Sequence, residues 1–209
     1  QFLAGTLDDP DLQRRSLALA GGDTDPDHEA GHGHDRGTTG QDPHIWLNPD
    51  EIRAMLPPLI EFLGTLEGLN RAQLDDNHRR FRDRLKETES DIRQRLASLP
   101  PMDVFTYHGA FTHFAEHFDI RIAGTLTTNP ERNPGARHLA ELQRKLRNAR
   151  SPCLMVEPQF SRDWWEGLDI GQPVGISHWD PLASEIRIQQ GGYTRFLEQL
   201  GDALVNCRS

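Results

Sequence analysis

The sequence has no excess of basic residues and no long apolar run. Lys and Arg number 23 against 32 Asp and Glu, which gives a formal net charge of −9. Binding to nucleic acid or to an anionic membrane surface needs a basic face, so this charge balance argues against both kinds of partner. No apolar run in the 209 residues is long enough to span a bilayer.

Cysteine is also scarce, with Cys153 and Cys207 as the only two. Two cysteines are too few for a cysteine-rich zinc site. Taken alone, they are equally consistent with one disulfide in an oxidising compartment and with two buried thiols. The chain opens on "QFLAGTLDDP", without Met and without a basic-then-apolar leader. We therefore expect a processed or truncated piece in which the signal peptide is not present.

Histidine, by contrast, is abundant and clustered. Three of the 10 histidines, His28, His32 and His34, lie in a Gly- and Asp-rich stretch at 21–41. This composition cannot bury much apolar area and predicts a mobile surface loop. His44 follows in "QDPHIWLNPD", between a proline and an apolar tripeptide. His44 is either a residue that bonds the backbone of its own turn or a fixed metal ligand next to a loop that collects the same metal.

Residues 50–99 are predicted to be helical. Between 81 and 99, apolar residues recur at steps of three and four, and charges fill the other faces. Pro57 and Pro58 interrupt the first part of this segment and predict a kink or break there. Asn48 or Asp50 is positioned to cap its start.

Residues 100–209 alternate between strand and helix patterns. Apolar segments at 102–107, 120–125, 153–157 and 173–177 are predicted to be strands, and most are followed by an amphipathic helical segment. This alternation predicts an α/β lobe with a four-stranded parallel sheet and helices on its faces. An isolated apolar run at 16–20 has no strand nearby to pair with. Residues 1–49 therefore look like the tail end of a domain whose beginning is not in this sequence.

Polar side chains follow three of the four predicted strands. His108 follows the first, Glu157 ends the third, and His178 and Asp180 follow the fourth. In an open parallel sheet, ligands bind beyond the carboxyl ends of the strands. With His44 delivered from elsewhere, these groups form a set of nitrogen and oxygen ligands that suits zinc and also manganese.

Each of these residues also has an ordinary structural explanation. His108 lies at a strand-to-helix junction and is placed to act like a helix N-cap. Asp180 precedes Pro181, which fits simple turn chemistry, and Glu157 precedes Pro158 and is free to pair with an arginine. His113 and His117, at i and i+4, have a spacing that can chelate a metal. Without the Glu of the metalloprotease pattern, we expect the two to face solvent.

Five motifs in order resemble a known family. The segments "DPHIWLNP", "TYHGAFTHFAEHF", "TTNPERNPGARHLAEL", "CLMVEPQF" and "WDPL" are similar to the zinc-binding solute-binding proteins of bacterial ABC importers, the ZnuA type of the metal-binding cluster A-I family. The resemblance implies two βα lobes joined by a long, rigid helix, with the metal in the cleft between the lobes. By this resemblance, 1–49 is the end of the N-terminal lobe, most of which is missing, 50–99 is the interlobe helix, and 100–209 is the C-terminal lobe.

The resemblance also assigns roles to residues. It implies that His44 and His108 are metal ligands, that Asp180 supplies a carboxylate, and that Glu157, with His178, supports the ligands from behind. It implies an auxiliary metal loop around the histidines of 21–41. It also implies a disulfide between the two cysteines and, with it, a periplasmic location. The N-terminal lobe of the family supplies a further histidine, and we expect water or a loop histidine in its place.

The function implied is high-affinity capture of zinc in the periplasm and delivery to the membrane permease of an ABC importer. The protein is expected to be a monomer, with Zn²⁺ as its bound ion, and not an enzyme. A manganese-binding relative is the first alternative, although histidine at position 108 favours zinc. A mononuclear zinc hydrolase is the second, with Glu157 as the one evident general base and no nucleophile motif.

Overall fold

A computed structural model of the chain describes residues 42–127, 135–160 and 170–207. The described residues contain four β-strands, two 3₁₀ turns and five α-helices. The strands are β1 (Val104–Thr106), β2 (Ile122–Thr125), β3 (Cys153–Val156) and β4 (Gly175–His178). The helices are α1 (Pro49–Leu63), α2 (Arg71–Ala97), α3 (Thr112–His117), α4 (Ala136–Asn148) and α5 (Gly192–Val205). The 3₁₀ turns are Ile45–Leu47 and Gly109–Phe111.

The four strands form one sheet in the order β2-β1-β3-β4, and every neighbouring pair is parallel. Consecutive parallel strands need crossovers, and in the described residues α3 and α4 provide two of them. The predicted α/β lobe with a four-stranded parallel sheet and a preceding long helix is therefore confirmed. All the strands point the same way, so β1, β3 and β4 end at one edge of the sheet.

The central strands β1 and β3 are buried on both faces because their alternate residues enter different cores. Val104 of β1 and Met155 of β3 belong to a core shared with α2, α3 and α5. Phe105 of β1 and Leu154 of β3 belong to a second core, against α4. This period-2 alternation in a sheet covered on both sides explains why these strands read as continuous apolar runs.

The helical break is not where the prolines predicted it. Pro57 and Pro58 both lie inside α1, which continues to Leu63. The chain instead leaves the helix at 64–70, where Gly68 has a φ of +84° that suits glycine, and Asn70 accepts a hydrogen bond from the backbone of Gln73 to begin α2. Turn and cap chemistry therefore outweighs the loss of backbone donors at the prolines.

The two cysteines form a disulfide, with their Cα atoms 5.8 Å apart and 54 positions apart in sequence. The bond joins β3 to the residues that follow α5, so it fixes the last helix against the sheet. None of the helices in the described residues is long and apolar enough to cross a membrane. The expected strand at 16–20 and the loop at 21–41 lie outside the described residues, and the proposed lobe boundaries stay a prediction.

Candidate metal centre

His44 is held by a segment that is anchored to the C-terminal half of the chain. It directly precedes the 3₁₀ turn Ile45–Leu47, whose Leu47 is fully buried in the main core. The indole Nε1 of Trp46 donates to the carbonyl oxygen of Pro181 at 2.8 Å, and the Tyr193 hydroxyl donates to the carbonyl oxygen of Trp46 at 3.0 Å. His44 is therefore placed by three contacts that cross from its own segment to the sheet lobe.

His108 projects from the chain just beyond the carboxyl end of β1. Its backbone is extended, and its side chain makes no capping hydrogen bond to the 3₁₀ turn that follows. The Nδ1 atom of His108 instead lies 2.6 Å from Oε1 of Glu157, whose side chain is fully buried. Within the described residues, the other carboxylate oxygen of Glu157 accepts from Gln159 at 2.7 Å, and no arginine pairs with it. Glu157 thus lies directly behind His108.

The imidazoles of His44 and His108 lie next to each other. Their ring centroids are 5.4 Å apart and their planes meet at 72°. The Nδ1 atom of His44 lies 2.6 Å from Oδ1 of Asp42, just as that of His108 contacts Glu157. A carboxylate on Nδ1 favours the neutral tautomer with its lone pair on Nε2. In the described part of the chain neither Nε2 has a hydrogen-bond partner, so both rings offer the same ligand atom.

Asp42 is a part of this arrangement that sequence reasoning missed. Its carboxylate accepts from both the side chain and the backbone N–H of His44. Burial raises the pKa of Asp42, but the hydrogen bonds from His44 and the nearby His113 outweigh burial and hold the pKa below its ordinary value. The available signal was the spacing in "DPH", which places a carboxylate two residues before the imidazole.

Asp180 is organised by its own turn. One carboxylate oxygen accepts from the backbone N–H of Leu182 at 2.9 Å, and the other accepts from the backbone N–H and hydroxyl of Ser184 at 2.6 and 2.5 Å. This is the turn chemistry that Asp-Pro indicates. The hydrogen bond between Trp46 and Pro181 brings this turn beside the His44 segment. The described contacts of Asp180 do not include either imidazole.

The other predicted site residues lie elsewhere. His178 is the exposed last residue of β4, and it lines a cleft together with Asp180 and Ser184 of the Asp-Pro turn and Asp202 of α5. His28, His32 and His34 fall outside the described residues. The structure therefore brings His44, His108 and Glu157 together, and it places His178 at a cleft that Asp180 also lines.

The expectation that His113 and His117 face solvent is wrong. Only 2% of His113 is exposed, and 4% of the His117 side chain. Helix α3 is short. Phe114 within it, and Phe111 and Phe118 on either side of it, pack in the main core. Spacing along one helix cannot tell which faces are covered by other elements, and here only Thr112 and Glu116 of α3 are exposed.

His117 bridges two carboxylates on different helices. Its Nδ1 lies 3.0 Å from Oδ2 of Asp50 on α1, and its Nε2 lies 2.6 Å from Oε1 of Glu89 on α2. These three residues lie close enough to share a metal ion. Arg53, however, is hydrogen-bonded to both carboxylates and already supplies positive charge. We therefore interpret the cluster as an ion-pair network that joins α1, α2 and α3.

Comparison with known proteins gives a consistent family. The family model described as "ZnuA: Zinc-uptake complex component A periplasmic" matches residues 3–207. The high-affinity zinc uptake system protein ZnuA of Yersinia pestis is 31% identical over 188 residues, which are 86% of this chain and 59% of that protein. This chain thus spans about three fifths of the length of that relative.

Two solved structures have the same fold. One is described as the crystal structure of ZnuA, with a TM-score of 0.67 and 24% identity over 81% of this chain and 63% of that one. The other is the solute-binding protein FpvC of Pseudomonas aeruginosa in complex with Mn²⁺, with a TM-score of 0.64 and 19% identity over 80% of this chain and 63% of that one. At these identities the likeness concerns the fold alone.

Proposed function

The chain belongs to the ZnuA family of periplasmic zinc-uptake components, and on that premise we propose that it captures Zn²⁺ in the periplasm and delivers the ion to the membrane permease of an ABC importer. The relative from Yersinia pestis is named for high-affinity zinc uptake. The disulfide between Cys153 and Cys207 agrees with an oxidising compartment such as the periplasm.

The observation that carries this proposal is the paired geometry of His44 and His108. Two imidazoles on one tetrahedral zinc ion, with Zn–N distances of about 2.0–2.1 Å, have ring centroids about 5 Å apart. The centroids of these two rings are 5.4 Å apart, a spacing that suits two imidazoles on one zinc ion. Each imidazole is backed by a carboxylate on Nδ1, the usual support of a histidine that binds zinc.

We assign the third protein ligand to Asp180. Its turn lies beside the His44 segment through the contact of Trp46 with Pro181. Both carboxylate oxygens accept hydrogen bonds within the turn, and the described ligand atoms of Asp180, His44 and His108 do not all lie within 4.8 Å of one another, so the carboxylate has to turn towards the imidazoles to bind the ion. Water, or a group from the part of the chain that the structure does not describe, completes four-coordination. Neutral imidazole nitrogens favour zinc over calcium and magnesium. The auxiliary role of His28, His32 and His34 is to gather zinc near this centre.

The two alternatives have less support. Manganese is the ion in the solved FpvC complex, yet imidazole suits zinc better and carboxylate suits manganese better, and this centre has two imidazoles. A hydrolase would need Glu157 as its general base. Glu157 is fully buried and both its oxygens are engaged, by His108 and Gln159, so it is not placed to activate a water molecule.

The test is zinc affinity of the full chain, measured by competition with a fluorescent chelator. H44A and H108A should each weaken binding by more than the roughly 10–100-fold expected for an outer-sphere residue. His78 on α2 provides the control, and H78A should bind like the parent. The proposal is overturned if the H44A–H108A double variant binds zinc as tightly as the parent. Competition by Mn²⁺, followed by tryptophan fluorescence, tests the choice of metal.

A further inference from the structure

His113 contacts the residue that orients His44. The Nε2 atom of His113 lies 3.3 Å from the backbone oxygen of Asp42 and 3.5 Å from its carboxylate oxygen Oδ2. The Nδ1 atom is buried, and among the described residues it has no hydrogen-bond partner. Nε2 is thus the only ring nitrogen that faces an acceptor in this part of the chain, which assigns the proton to Nε2 and makes His113 a donor to Asp42.

The support continues from Asp42 to the proposed ligand. Oδ1 of Asp42 accepts from the imidazole of His44 at 2.6 Å and from its backbone N–H at 3.0 Å. Asp42 and His44 lie outside the regular helices and strands. On the side that faces α3, they are anchored by the buried side chain of His113. His113 itself is held because Phe111 and Phe114, which flank it, are fully buried.

The same stretch of chain carries the other proposed ligand. His108 stands at its start, immediately before the 3₁₀ turn that leads into α3, and His113 lies on the second residue of that helix. A movement of α3 would therefore displace His108 and, through Asp42, His44 together. Helix α3 and the 3₁₀ turn before it are therefore connected to both imidazoles, to His108 through the chain and to His44 through Asp42.

We propose that His113 is a positioning residue of the metal centre, acting through Asp42 to hold His44 at the distance and orientation that zinc requires. The inference rests on the proposed function, since it describes how the site for zinc is kept in shape. His113 does not touch the ion. Its contribution is an N–H donor in a buried position, where a hydrogen bond is strong and where its loss leaves Asp42 without a partner on that side.

The test uses two substitutions at position 113 in the full chain. H113L removes the donor with a similar apolar volume, whereas H113Q keeps an N–H donor that can reach Asp42. Zinc affinity by chelator competition should fall about 10–100-fold in H113L, the range for outer-sphere partners of a ligating histidine, and should recover most of the way in H113Q. The d–d absorption spectrum of bound Co²⁺ should change in H113L and return towards that of the parent in H113Q.

A double-mutant cycle separates positioning from general damage. If His113 acts on His44 through Asp42, then H113L should weaken zinc binding much less in a D42A background, which lacks the carboxylate that contacts His44, than in the parent. Thermal melts of the metal-free variants show whether each one folds. The inference is overturned if H113L and H113Q bind zinc equally well, or if H113L has the same effect with and without Asp42.

These outcomes are distinct from a failure of the proposed function. If H44A and H108A abolish tight zinc binding while H113L leaves it intact, only the positioning role fails. If H44A and H108A leave zinc binding unchanged, the metal centre itself is not where we place it. In that case His113 would have no metal ligand to position, and the inference would fail together with the proposed centre.

Discussion

The carboxylate of Glu157 lies 2.6 Å from Nδ1 of His108 and is completely shielded from solvent. A charge in such a position needs a permanent partner, because an unpaired buried carboxylate is costly. It pairs with a ring whose opposite nitrogen points away from it. A carboxylate on Nδ1 fixes the tautomer of a zinc-binding histidine and strengthens it as a ligand, so Glu157 supports the nitrogen that we assign to zinc.

Changing Glu157 should reveal this electronic contribution in two steps. In E157Q the amide oxygen still accepts the hydrogen bond but carries no charge, and zinc affinity should fall about 10-fold, whereas in E157A it should fall nearer to 100-fold. E61Q, at an exposed position on α1, is the control. Affinities are measured by chelator competition. Equal binding by E157A and the parent would show that the charge behind His108 has no role.

The disulfide should stabilise the fold without taking part in zinc binding. It closes a loop across 54 positions, which the chain-entropy model equates with about 4 kcal/mol and measured cases often put nearer to 2–4. Denaturant unfolding of the C153A–C207A variant should show a loss in this range. The affinity of its folded fraction for zinc should stay close to that of the parent. A reductant should destabilise the parent but not the variant, and an equal effect on both would point to another cause.

Acid should weaken the network around Glu89. Burial raises the pKa of Glu89, but its hydrogen bonds to His117 and Arg53 outweigh burial and hold the pKa below its ordinary value of 4.5. A carboxylate with a lowered folded-state pKa contributes stability above the unfolded pKa and loses it as the pH falls through the lower, folded value. The free energy of unfolding should therefore drop below about pH 4.5.

The variant E89Q should flatten that acid limb. At neutral pH it should also be less stable by about 1–3 kcal/mol, because Arg53 and His117 lose a charged hydrogen-bond partner. E87Q changes an exposed glutamate on α2, and its stability should depend on pH as that of the parent does. Urea titrations from pH 3 to 7 make the comparison. An unchanged acid limb in E89Q would assign the acid sensitivity to other carboxylates.

The sheet was predictable from the sequence because each strand is a short apolar run followed by a helical pattern. The order β2-β1-β3-β4 was not, since it depends on which crossover packs on which face. Position along the chain also indicated the edge at which His108 and Glu157 would lie, because the ends of parallel strands share an edge. The pairing of Cys153 with Cys207 came from family resemblance and not from spacing.

The errors arose where local pattern and tertiary context disagree. Pro57 and Pro58 predicted a kink or a break, and the break is not there, because α1 continues through both and ends at Leu63. His113 and His117 looked like an exposed pair, but aromatic residues beside them pull α3 into the core. Asp42 is part of the "DPH" motif, but its role depends on a hydrogen bond to His44 that the sequence alone does not reveal.

Deleting residues 21–40 should separate the proposed loop from the proposed centre. The shortened chain should bind one zinc ion with the affinity of the parent, because His44 and His108 remain. The number of zinc ions bound per chain at saturation should fall, because His28, His32 and His34 are gone. Isothermal titration gives both quantities. Loss of the tight site on deletion would make the loop part of the primary centre.

The anchoring of the His44 segment can be tested through Tyr193. Its hydroxyl donates to the carbonyl oxygen of Trp46, and burial raises the pKa of this phenol, which keeps it a donor at all physiological pH values. The variant Y193F should lose about 1 kcal/mol of unfolding free energy. Zinc affinity should fall by less than in E157A, because Leu47 and the Trp46–Pro181 hydrogen bond still hold the segment.

Combining Y193F with W46F removes both hydrogen bonds that tie Trp46 to the sheet lobe. If these bonds place His44, the loss of zinc affinity in the double variant should exceed the sum of the losses in the two single variants. The reason is that either bond alone is enough to keep the segment near its position. Chelator competition on variants that melt cooperatively supplies the measurement. Should stability fall while zinc affinity stays constant, then Leu47 and the Asp42–His44 contact are sufficient to place the imidazole, and the anchors serve the fold alone.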